Sequence, residues 1–442
     1  MTSATSSSIS PADAISDLLA RLPKPARLLI AVSGGSDSLG LLLSLAHRPC
    51  EGVTLFAVTV DHRLRSESAA EACEVARICH DLGVTHIIKN WLGAKPKSGI
   101  AAAAREARYQ LLCEAAGAFD ATAILTGHTL DDQIETVTMR AERSCDPSAP
   151  GLSGMSQAVL LHRRYWLLRP FLWTRRQEIR QALERCGQNW IDDPSNVDVR
   201  SERARTRLAL GGAASVSPTH IAQVATRRAV ISDDAAKWID EYVKVTRAAL
   251  MHVAPGGLDI DPAVLRYGLS SAIAVLGGRE QGPAASMMQR IVAECRRFGY
   301  WRMTAGRVAL DRRQRGLYLC REVRSLPLLM LGPGESATWD GRFRISNSGR
   351  EQFAVTASSV ERERAMELFT EIPPTVALRA GQTRPSSCLE SANRTGFQCR
   401  PLLAPFERFL PQFDYNLASR LAESFGCDNF PPLPFNNSVR KR

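Results

Sequence analysis

The stretch RLLIAVSGGSDSLGLLLSLAH, residues 27–47, indicates the fold class of this protein. Its first seven residues, RLLIAVS, are a short apolar run, which predicts a buried strand. The glycines Gly34 and Gly35 then predict a tight turn, and the residues from Asp37 to His47 predict a helix. A strand, a tight turn and a helix in this order are typical of an α/β fold.

The same pattern continues through the first 212 residues. Further apolar runs predict strands at 53–60 (VTLFAVTV), 86–91, 122–126 and 165–168. Helices are predicted between them at 66–82 and 100–116, near Thr129, and after Thr174, where Gln177 completes a capping-box pattern. Because the strands are continuously apolar instead of alternating, we predict a parallel sheet with helices on both faces.

The second half of the chain carries different signals. Residues 211–216 are small and predict a linker, and the alternating stretch 301–320 predicts a hairpin with a basic turn. The predicted organisation is a tail at 1–25, the α/β domain at 26–212, a helical middle domain at 217–323, a small α+β domain at 327–424 and a tail at 425–442.

The composition of the 442 residues is that of an ordinary globular protein, with 45% hydrophobic and 23% charged residues. A net charge of +11 indicates a polyanionic partner such as nucleic acid. No apolar run approaches the ~18 residues that cross a bilayer, so we expect no membrane span. The 11 cysteines include no C-x-x-C pair, which argues against zinc and predicts reduced thiols in a cytoplasmic protein.

The segment SGGSDS, Ser33 to Ser38, places two glycines and three hydroxyl groups directly before a helix. Successive backbone N–H groups and the helix N-terminus at such a place form a nest for phosphate. Asp37 suits this nest if Mg²⁺ lies between its carboxylate and the phosphates. The alternative is a simple Gly-Gly turn in which Asp37 stabilises the first turn of the helix.

A second polar segment, GHTLDDQIET at 127–136, follows the predicted strand 122–126. On a helix, the spacing of Asp131, Asp132 and Glu135 clusters their carboxylates toward one face. Such a cluster is tolerable if a cation, either Mg²⁺ or an ammonium group, lies among the carboxylates. The alternative is an acidic first turn stabilised by the helix dipole. His128, at the strand end, could contact a nucleotide or cap the turn.

The loop Ser33–Ser38 resembles the PP-loop of the ATP pyrophosphatases, and a longer ordered set of motifs narrows the resemblance. These motifs are SGGSDS at 33–38, VDHRLR at 60–65, AREARY at 104–109, HTLDDQIET at 128–136, GLSGM at 151–155, RPF at 169–171 and DPSN at 193–196. The chain is similar to the tRNA(Ile)-lysidine synthases. Arg63, Thr129 and Asp192 depart from the usual residues of that family, and none of them removes a carboxylate or a loop hydroxyl.

The resemblance implies a ligase that joins free L-lysine to C2 of cytidine 34 in the CAU anticodon of tRNA(Ile). ATP and Mg²⁺ are the implied cofactors, an adenylated cytidine is the implied intermediate, and lysidine, AMP and pyrophosphate are the products. It also implies that the middle domain helps to hold tRNA. It leaves the oligomeric state open, with a homodimer as one option. Two rivals are a tRNA thiolase, which needs suitably placed cysteines, and a binding module without turnover.

The resemblance and the motifs together give the candidate site residues. The predicted catalytic residues are Asp37, Asp132, Glu135 and Asp131, with Asp37 and Asp132 as metal ligands. The predicted nucleotide-binding residues are Ser33, Gly34, Gly35, Ser36, Asp37, Ser38, Asp61 and His128. The predicted RNA-binding residues are Arg105, Arg108, Arg175, Arg176, Arg203, Arg205 and Arg207. For Arg180 and Arg185 of the basic stretch 163–207, a solvated basic helix face is the alternative.

Overall fold

The structure is a computed structural model, and it forms two compact units. It describes residues 8–143, 150–192, 203, 205–206, 216–297, 299–386 and 396–435. The first unit contains the described residues up to 226 together with 431–435, and the second unit contains those from 227 to 430. Within these described ranges, no helix is both long and apolar enough to cross a membrane.

The first unit is built on a sheet that is mostly parallel. Its strands are β1 (Ala26–Ala31), β2 (Val53–Asp61), β3 (Thr85–Asn90), β4 (Ala123–Leu125), β5 (Ala158–Leu161) and β6 (Tyr165–Leu168). In the order β5-β6-β4-β1-β2-β3, all neighbours run parallel except β5 and β6, which are antiparallel. Leu28, Leu29 and Ile30 at the centre of β1 are fully buried. The predicted α/β class is confirmed.

The antiparallel strand β5 was missed in the sequence analysis. It turns into β6 at His162 and Arg163, which both have positive φ angles of 47° and 56°. Turns of this kind usually carry glycine, asparagine or aspartate, and neither residue gives that signal. Because no typical turn residue follows it, the sequence does not mark the end of the strand Ala158–Leu161.

Helices connect the strands of the first unit. They are α1 (Pro11–Arg21), α2 (Ser36–Ala46), α3 (Ser68–Asp81), α4 (Ile100–Ala118), α5 (Leu130–Glu142) and α6 (Arg176–Arg185). The helix α1 corrects the expectation of a tail over 1–25. Ser10 caps it by accepting a hydrogen bond from Asp13 N at 3.2 Å, and Ile15 and Leu18 are buried at helical spacing. The Ser-rich start of the chain conceals this amphipathic stretch.

The start of α6 also differs from the prediction. Thr174 and Gln177 form no capping box, because the helix begins at Arg176 and its cap residue Arg175 makes no side-chain capping bond. Instead, Asp131 of α5 accepts a hydrogen bond from Arg176 N at 2.8 Å. A carboxylate at a helix N-terminus is stabilised by the N–H groups that have no partner within the helix. The cap of α6 is thus supplied by another helix.

The second unit combines helices with antiparallel strands. Its helices are Pro262–Gly277, Ala285–Cys295, Arg362–Leu368, Pro374–Gln382, Ala404–Glu407 and Tyr415–Phe425, and the helix Pro218–Tyr242 crosses the division between the units. Its strands are Val243–Thr246, Leu250–Val253, Trp301–Ala305, Val308–Arg313, Gly316–Arg321, Leu329–Leu331, Ser336–Trp339, Phe343–Asn347, Phe353–Val355, Phe397–Pro401 and Phe409–Pro411. Helical segments followed by a sheet-rich C-terminal region are as predicted.

The region 217–323 is less helical than the sequence analysis expected. Five of its strands form one antiparallel sheet, in which the predicted hairpin Val308–Arg321 pairs with Leu250–Val253. The long helix ends at Tyr242 because the next residues, Val243 to Thr246, include β-branched side chains that favour a strand. Residues 227–430 form one compact unit, and the separate domains at 217–323 and 327–424 stay a prediction.

The expected C-terminal tail 425–442 is partly ordered. Trp166 Nε1 donates a hydrogen bond to Pro431 O at 3.2 Å, and the side chain of Phe435 is buried with the guanidinium group of Arg21 over its ring. The proline-rich sequence predicted an exposed end. The aromatic ring of Phe435 instead supplies enough apolar surface to be buried within the first unit. The residues 436–442, with the basic end of the chain, lie outside the described residues.

Candidate active site

The loop between β1 and α2 has the geometry of a phosphate nest. Gly34 has φ +84°, and a Cβ atom there would lie 2.6 Å from Cδ1 of Ile191, so glycine is required on both counts. The hydroxyl of Ser38 accepts a hydrogen bond from Ser33 N at 3.1 Å and donates to Gly35 O at 3.0 Å. These bonds hold the loop against the first turn of α2, whose N–H groups face the same side.

This loop opens into a cavity of about 690 Å³ at the carboxyl ends of β1 and β4. Its lining residues are Ala31, Ser33, Gly35, Ser36, Asp37, Ser38, Arg108, Thr126, Gly127, His128, Asp132, Arg176, Arg180, Ile191, Asp192 and Arg203. Gly127 forms its floor, where a Cβ atom would lie 2.6 Å from the carbonyl oxygen of Asp37. Two separate polar segments of the sequence therefore meet at one edge of the sheet, as open α/β sheets arrange their ligand sites.

Carboxylates and guanidinium groups form a network in this cavity. Arg176 lies among three carboxylates, and Arg203 bridges two of them. The contacts of Arg176 are Nε to Asp37 Oδ2 at 2.9 Å, Nη2 to Asp132 Oδ1 at 3.3 Å and Nη1 to Glu135 Oε1 at 3.9 Å. The contacts of Arg203 are Nη2 to Asp132 Oδ1 and Nε to Glu135 Oε2, both at 2.8 Å. The carboxylates that would otherwise repel one another are thus held together by cations.

Asp132 and Asp37 have opposite electrostatic surroundings. Burial favours the neutral form of Asp132, but the charges of Arg203 and Arg176 and the hydrogen bond from Thr129 N outweigh it, so the pKa of this carboxyl is lowered. Burial raises the pKa of Asp37 even though Arg176 opposes it. Asp132 also completes the cap of α5, because its Oδ2 accepts a hydrogen bond from Thr129 N at 2.8 Å while Thr129 Oγ1 accepts from Asp132 N. Asp132 is therefore an ionised carboxylate in a fixed position.

His128 is a neutral imidazole in the wall of the cavity. Burial, followed by the charge of Arg169, lowers its pKa well below the ordinary value of 6.5. Its Nδ1 is 2.9 Å from Thr126 Oγ1, which fixes the ring orientation. The other ring nitrogen is left for the cavity, and a neutral ring there can contact a nucleotide without adding charge.

Several predicted residues lie beside the cavity instead of lining it. Asp61 ends β2, and its Oδ1 accepts a hydrogen bond from Arg63 N at 2.7 Å. Asp131 caps α6, with Arg175 Nη1 3.5 Å away from its Oδ1. Glu135 reaches the cavity through its two arginine partners, with only 3% of its side chain exposed.

The predicted RNA-binding arginines are placed in different ways. Arg176 and Arg203 are committed to the carboxylate network, and Arg108 lines the cavity. Arg105 is exposed and lies over the ring of Tyr109, 5.1 Å from its centroid. Arg205 is exposed. Arg207 and the DPSN motif at 193–196 lie outside the described residues.

Some lining residues carried no recognisable sequence signal. Ile191 closes over the loop, donating its N–H to Gly34 O at 2.9 Å. Arg180 and Asp192 form an ion pair of 3.2 Å at the rim, and Arg180 Nε also donates to Ser36 Oγ at 3.3 Å. In the sequence, Arg180 is only one of several arginines on a basic helix. The sequence therefore did not predict that its side chain lines the cavity.

Comparisons with known proteins identify relatives of this chain. A family model for the PP-loop domain matches residues 10–213. The tRNA(Ile)-lysidine synthase of Rhizobium meliloti (strain 1021) is 40% identical over 436 residues, covering 93% of this chain and 94% of that protein. The protein of the same name from Mesorhizobium japonicum is 37% identical over 429 residues, covering 91% and 93%.

Among solved structures, the U34-tRNA thiolase NcsA from Methanococcus maripaludis matches 49% of this chain and 76% of its own, at 15% identity and a TM-score of 0.39. The sequence similarity to the two synthases is much higher, because it extends over nearly the whole of both chains at about 40% identity. The resemblance found in the motifs is thereby confirmed. This chain belongs to the tRNA(Ile)-lysidine synthase family and is an ATP-using ligase of the PP-loop class.

Proposed function

We propose that this enzyme joins free L-lysine to C2 of cytidine 34 in the CAU anticodon of tRNA(Ile), through an adenylated cytidine. The products are lysidine, AMP and pyrophosphate. The observation that carries this proposal is the shared cavity, which brings the phosphate nest Ser33–Ser38 together with the carboxylates Asp37 and Asp132. Adenylation needs the first feature, and capture of an amine nucleophile needs the second.

The nest is suited to the pyrophosphate half of ATP. Backbone N–H groups at the start of α2 are donors already in position, and this helix N-terminus adds a favourable dipole. In the adenylation step, O2 of the cytosine attacks the α-phosphorus and the bond to the bridging oxygen breaks. Pyrophosphate leaves with that electron pair and remains held by the loop.

The donor set also suits Mg²⁺. Asp37 and Asp132 supply carboxylate oxygens, and the contact of both with the guanidinium group of Arg176 supports a shared position for positive charge between them. Throughout the described residues, no group of three His, Cys, Asp or Glu side chains is arranged to hold a metal. Phosphate oxygens would therefore complete the coordination, and Mg²⁺ supplies charge neutralisation for the leaving group.

The pair Asp132 and Glu135 is suited to the lysine ammonium group. Arg203 contacts an oxygen of each at 2.8 Å, which supports this pair as a position for a cationic nitrogen. The amine must lose a proton before it attacks C2 and expels AMP, and a carboxylate of this network is the proposed acceptor. Asp131 acts in this proposal through α6, because its carboxylate caps the helix that carries Arg176.

The tRNA contacts are proposed for Arg105, Arg175, Arg205 and Arg207, of which Arg207 lies outside the described residues. Cytidine 34 must be unstacked to reach the cavity, which favours an anticodon loop over a duplex. A tRNA contact by the region 217–323, a homodimer and a cytoplasmic location remain predictions.

The test is to measure AMP and pyrophosphate release from ATP with Mg²⁺, lysine and a tRNA(Ile) transcript carrying CAU. Each component is omitted in turn, and a transcript with uridine 34 is the matched control. We expect AMP release that requires cytidine 34, together with incorporation of labelled lysine into the tRNA. AMP release without lysine incorporation, or with the uridine transcript, would contradict the substrate assignment.

A further inference from the structure

The motif GLSGM at 151–155 has no role in the reaction steps described above, yet it lies against the helix that carries the carboxylates. The contact is made by Gln133 of α5, whose side chain is only 1% exposed. Gln133 Nε2 donates a hydrogen bond to Met155 O at 3.1 Å, and Gln133 Oε1 accepts one from Met155 N at 2.6 Å. One side-chain amide thus binds both backbone groups of one loop residue.

The conformation of the loop depends on a glycine beside this amide. Gly154 has φ +70°, and a Cβ atom there would lie 2.5 Å from Gln133 Oε1, so no other residue suits the position. A second side chain of α5 binds the same loop, because Arg140 Nη1 donates to Gly151 O at 2.8 Å and to Gly154 O at 3.1 Å. The motif is therefore held by two polar side chains of one helix.

The bond at Gln133 acts on the rotation of α5 about its axis. Asp132 and Glu135 are directed toward the two arginines of the cavity, and Ile134 is buried in an apolar cluster. Gln133 points to a different side of the helix from Asp132, because successive residues of an α-helix are about 100° apart. Apolar packing has no preferred direction, whereas a pair of hydrogen bonds has one. The amide is thus suited to fix the direction in which the carboxylates point.

We infer that Gln133 is a positioning residue for the lysine ammonium site. Its two bonds to the GLSGM loop set the rotation of α5 and with it the positions of Asp132 and Glu135. This inference rests on the proposed function. Side-chain atoms lie roughly 5–6 Å from a helix axis, so a rotation of about 10° moves them by about 1 Å. A displacement of about 1 Å in an active site lowers the rate by up to about 100-fold.

The experiment measures lysine incorporation into CAU tRNA(Ile) over ranges of lysine and of ATP concentration. Gln133→Met keeps the length of the side chain and removes both bonds, while Gly154→Ala displaces the amide without a change in α5. We expect each variant to raise the KM for lysine and lower kcat, by about tenfold each for Gln133→Met. The KM for ATP should stay within about twofold of the wild type, because the nest lies on another element.

The control is Gln110→Met, because Gln110 is an exposed glutamine of α4 whose amide is 3.4 Å from Glu114. It should behave like the wild type. The double variant tests whether Gln133 acts through the loop. Both substitutions break the same contact, so its KM for lysine should match that of Gln133→Met within about twofold. Effects that multiply instead would overturn the inference.

Two further outcomes would also overturn it. A lower kcat with an unchanged KM for lysine, in proteins shown to be folded by circular dichroism, would make the contact merely structural. A KM for ATP that rises as much as that for lysine would indicate a general distortion. If Gln133→Met is unfolded, Gln133→Glu takes its place with the same expectations, because it keeps the acceptor for Met155 N. A wild type that incorporates no lysine overturns the proposed function itself.

Discussion

Two clusters of arginine and aspartate, one in each unit, show how the same residue types serve different ends. In the first unit, three carboxylates, Asp37, Asp132 and Glu135, share two guanidinium groups beside an open cavity. In the second unit, one carboxylate, that of the buried Asp340, contacts the guanidinium groups of three arginines, Arg307, Arg321 and Arg342. The first cluster is rich in acids and the second in bases.

Several other donors of the second cluster are directed to backbone carbonyl groups, while Arg342 Nη1 is buried without a hydrogen-bond partner. Arg321 Nη1 donates to Glu322 O at 2.6 Å, Arg307 Nη1 donates to Gly277 O at 3.1 Å, and Arg342 Nη2 donates to Thr383 O. Arg321 is completely buried. Bonds of this kind tie strands and turns of one unit together. An excess of carboxylates beside a cavity can instead exchange an internal cation for one of the substrate.

The largest expected effect tests the first cluster. Replacing Asp132 by Asn removes the carboxylate that contacts both Arg176 and Arg203, so the proposed ammonium and metal positions are lost together. We expect turnover to fall by about 1,000-fold, with the protein still folded. Lysine incorporation at saturating substrates measures it. The matched control is Asp192→Asn at the rim, where the carboxylate is 74% exposed and the loss should stay below about tenfold.

If Asp132→Asn kept full turnover, the first cluster would be structural like the second, and the proposed difference in their roles would be wrong.

The second cluster should respond in stability and not in catalysis. Asp340→Asn leaves three guanidinium groups without their shared counter-ion, and we expect the free energy of unfolding of the second unit to fall by about 3–5 kcal/mol. Urea denaturation measures this change, and kcat at a temperature where the variant is folded should match the wild type. Asp428→Asn is the control, because its pair with Arg400 is exposed and should contribute about 0–1 kcal/mol.

A selective loss of kcat in the folded Asp340→Asn protein would show that this buried cluster takes part in the reaction.

The carboxylates of the first cluster were predictable because their spacing is local. Asp131, Asp132 and Glu135 lie within two turns of one helix, and the nest Ser33–Ser38 is a continuous segment. The position of the Arg176 guanidinium group among these carboxylates was not predictable, because Arg176 and Asp37 are 139 residues apart in the sequence. The composition of the stretch 163–207 indicates positive charge but does not distinguish arginines that point to RNA from those that point into the site.

The same contrast explains which elements of the fold were missed. Strands with continuous apolar runs, such as β1 and β2, were predicted close to their observed bounds. The helix α1 and the strand β5 were not, because a serine-rich start hides the first and a turn without glycine hides the second. Local periodicity predicts an element only where turn or cap residues mark its ends.

The next effect is a pH dependence that belongs to the first cluster. The pKa of His128 is well below 6.5 in the folded protein, so the unfolded chain binds a proton at this residue in mildly acidic solution and the folded chain does not. His128 therefore destabilises the folded state progressively as the pH falls below 6.5. We expect the unfolding free energy of the wild type to drop by about 1 kcal/mol per pH unit more than that of His128→Asn between pH 6.5 and 5.

Asparagine is chosen because its side chain is able to keep the hydrogen bond to Thr126 Oγ1. Urea titrations at several pH values measure the difference, and parallel curves for the two proteins would show that His128 titrates normally.

The smallest effect separates two adjacent carboxylates of α5. Asp131 faces the N-terminus of α6, accepting from Arg176 N at 2.8 Å, while Asp132 faces the cavity. Replacing Asp131 by Asn weakens a helix cap, and we expect the free energy of unfolding to fall by about 1 kcal/mol. Turnover should fall only a few-fold, because the backbone that carries Arg176 shifts slightly while the network keeps its charges. A loss of turnover as large as that of Asp132→Asn, measured on the folded protein, would place Asp131 in the reaction and extend the first cluster to a fourth carboxylate.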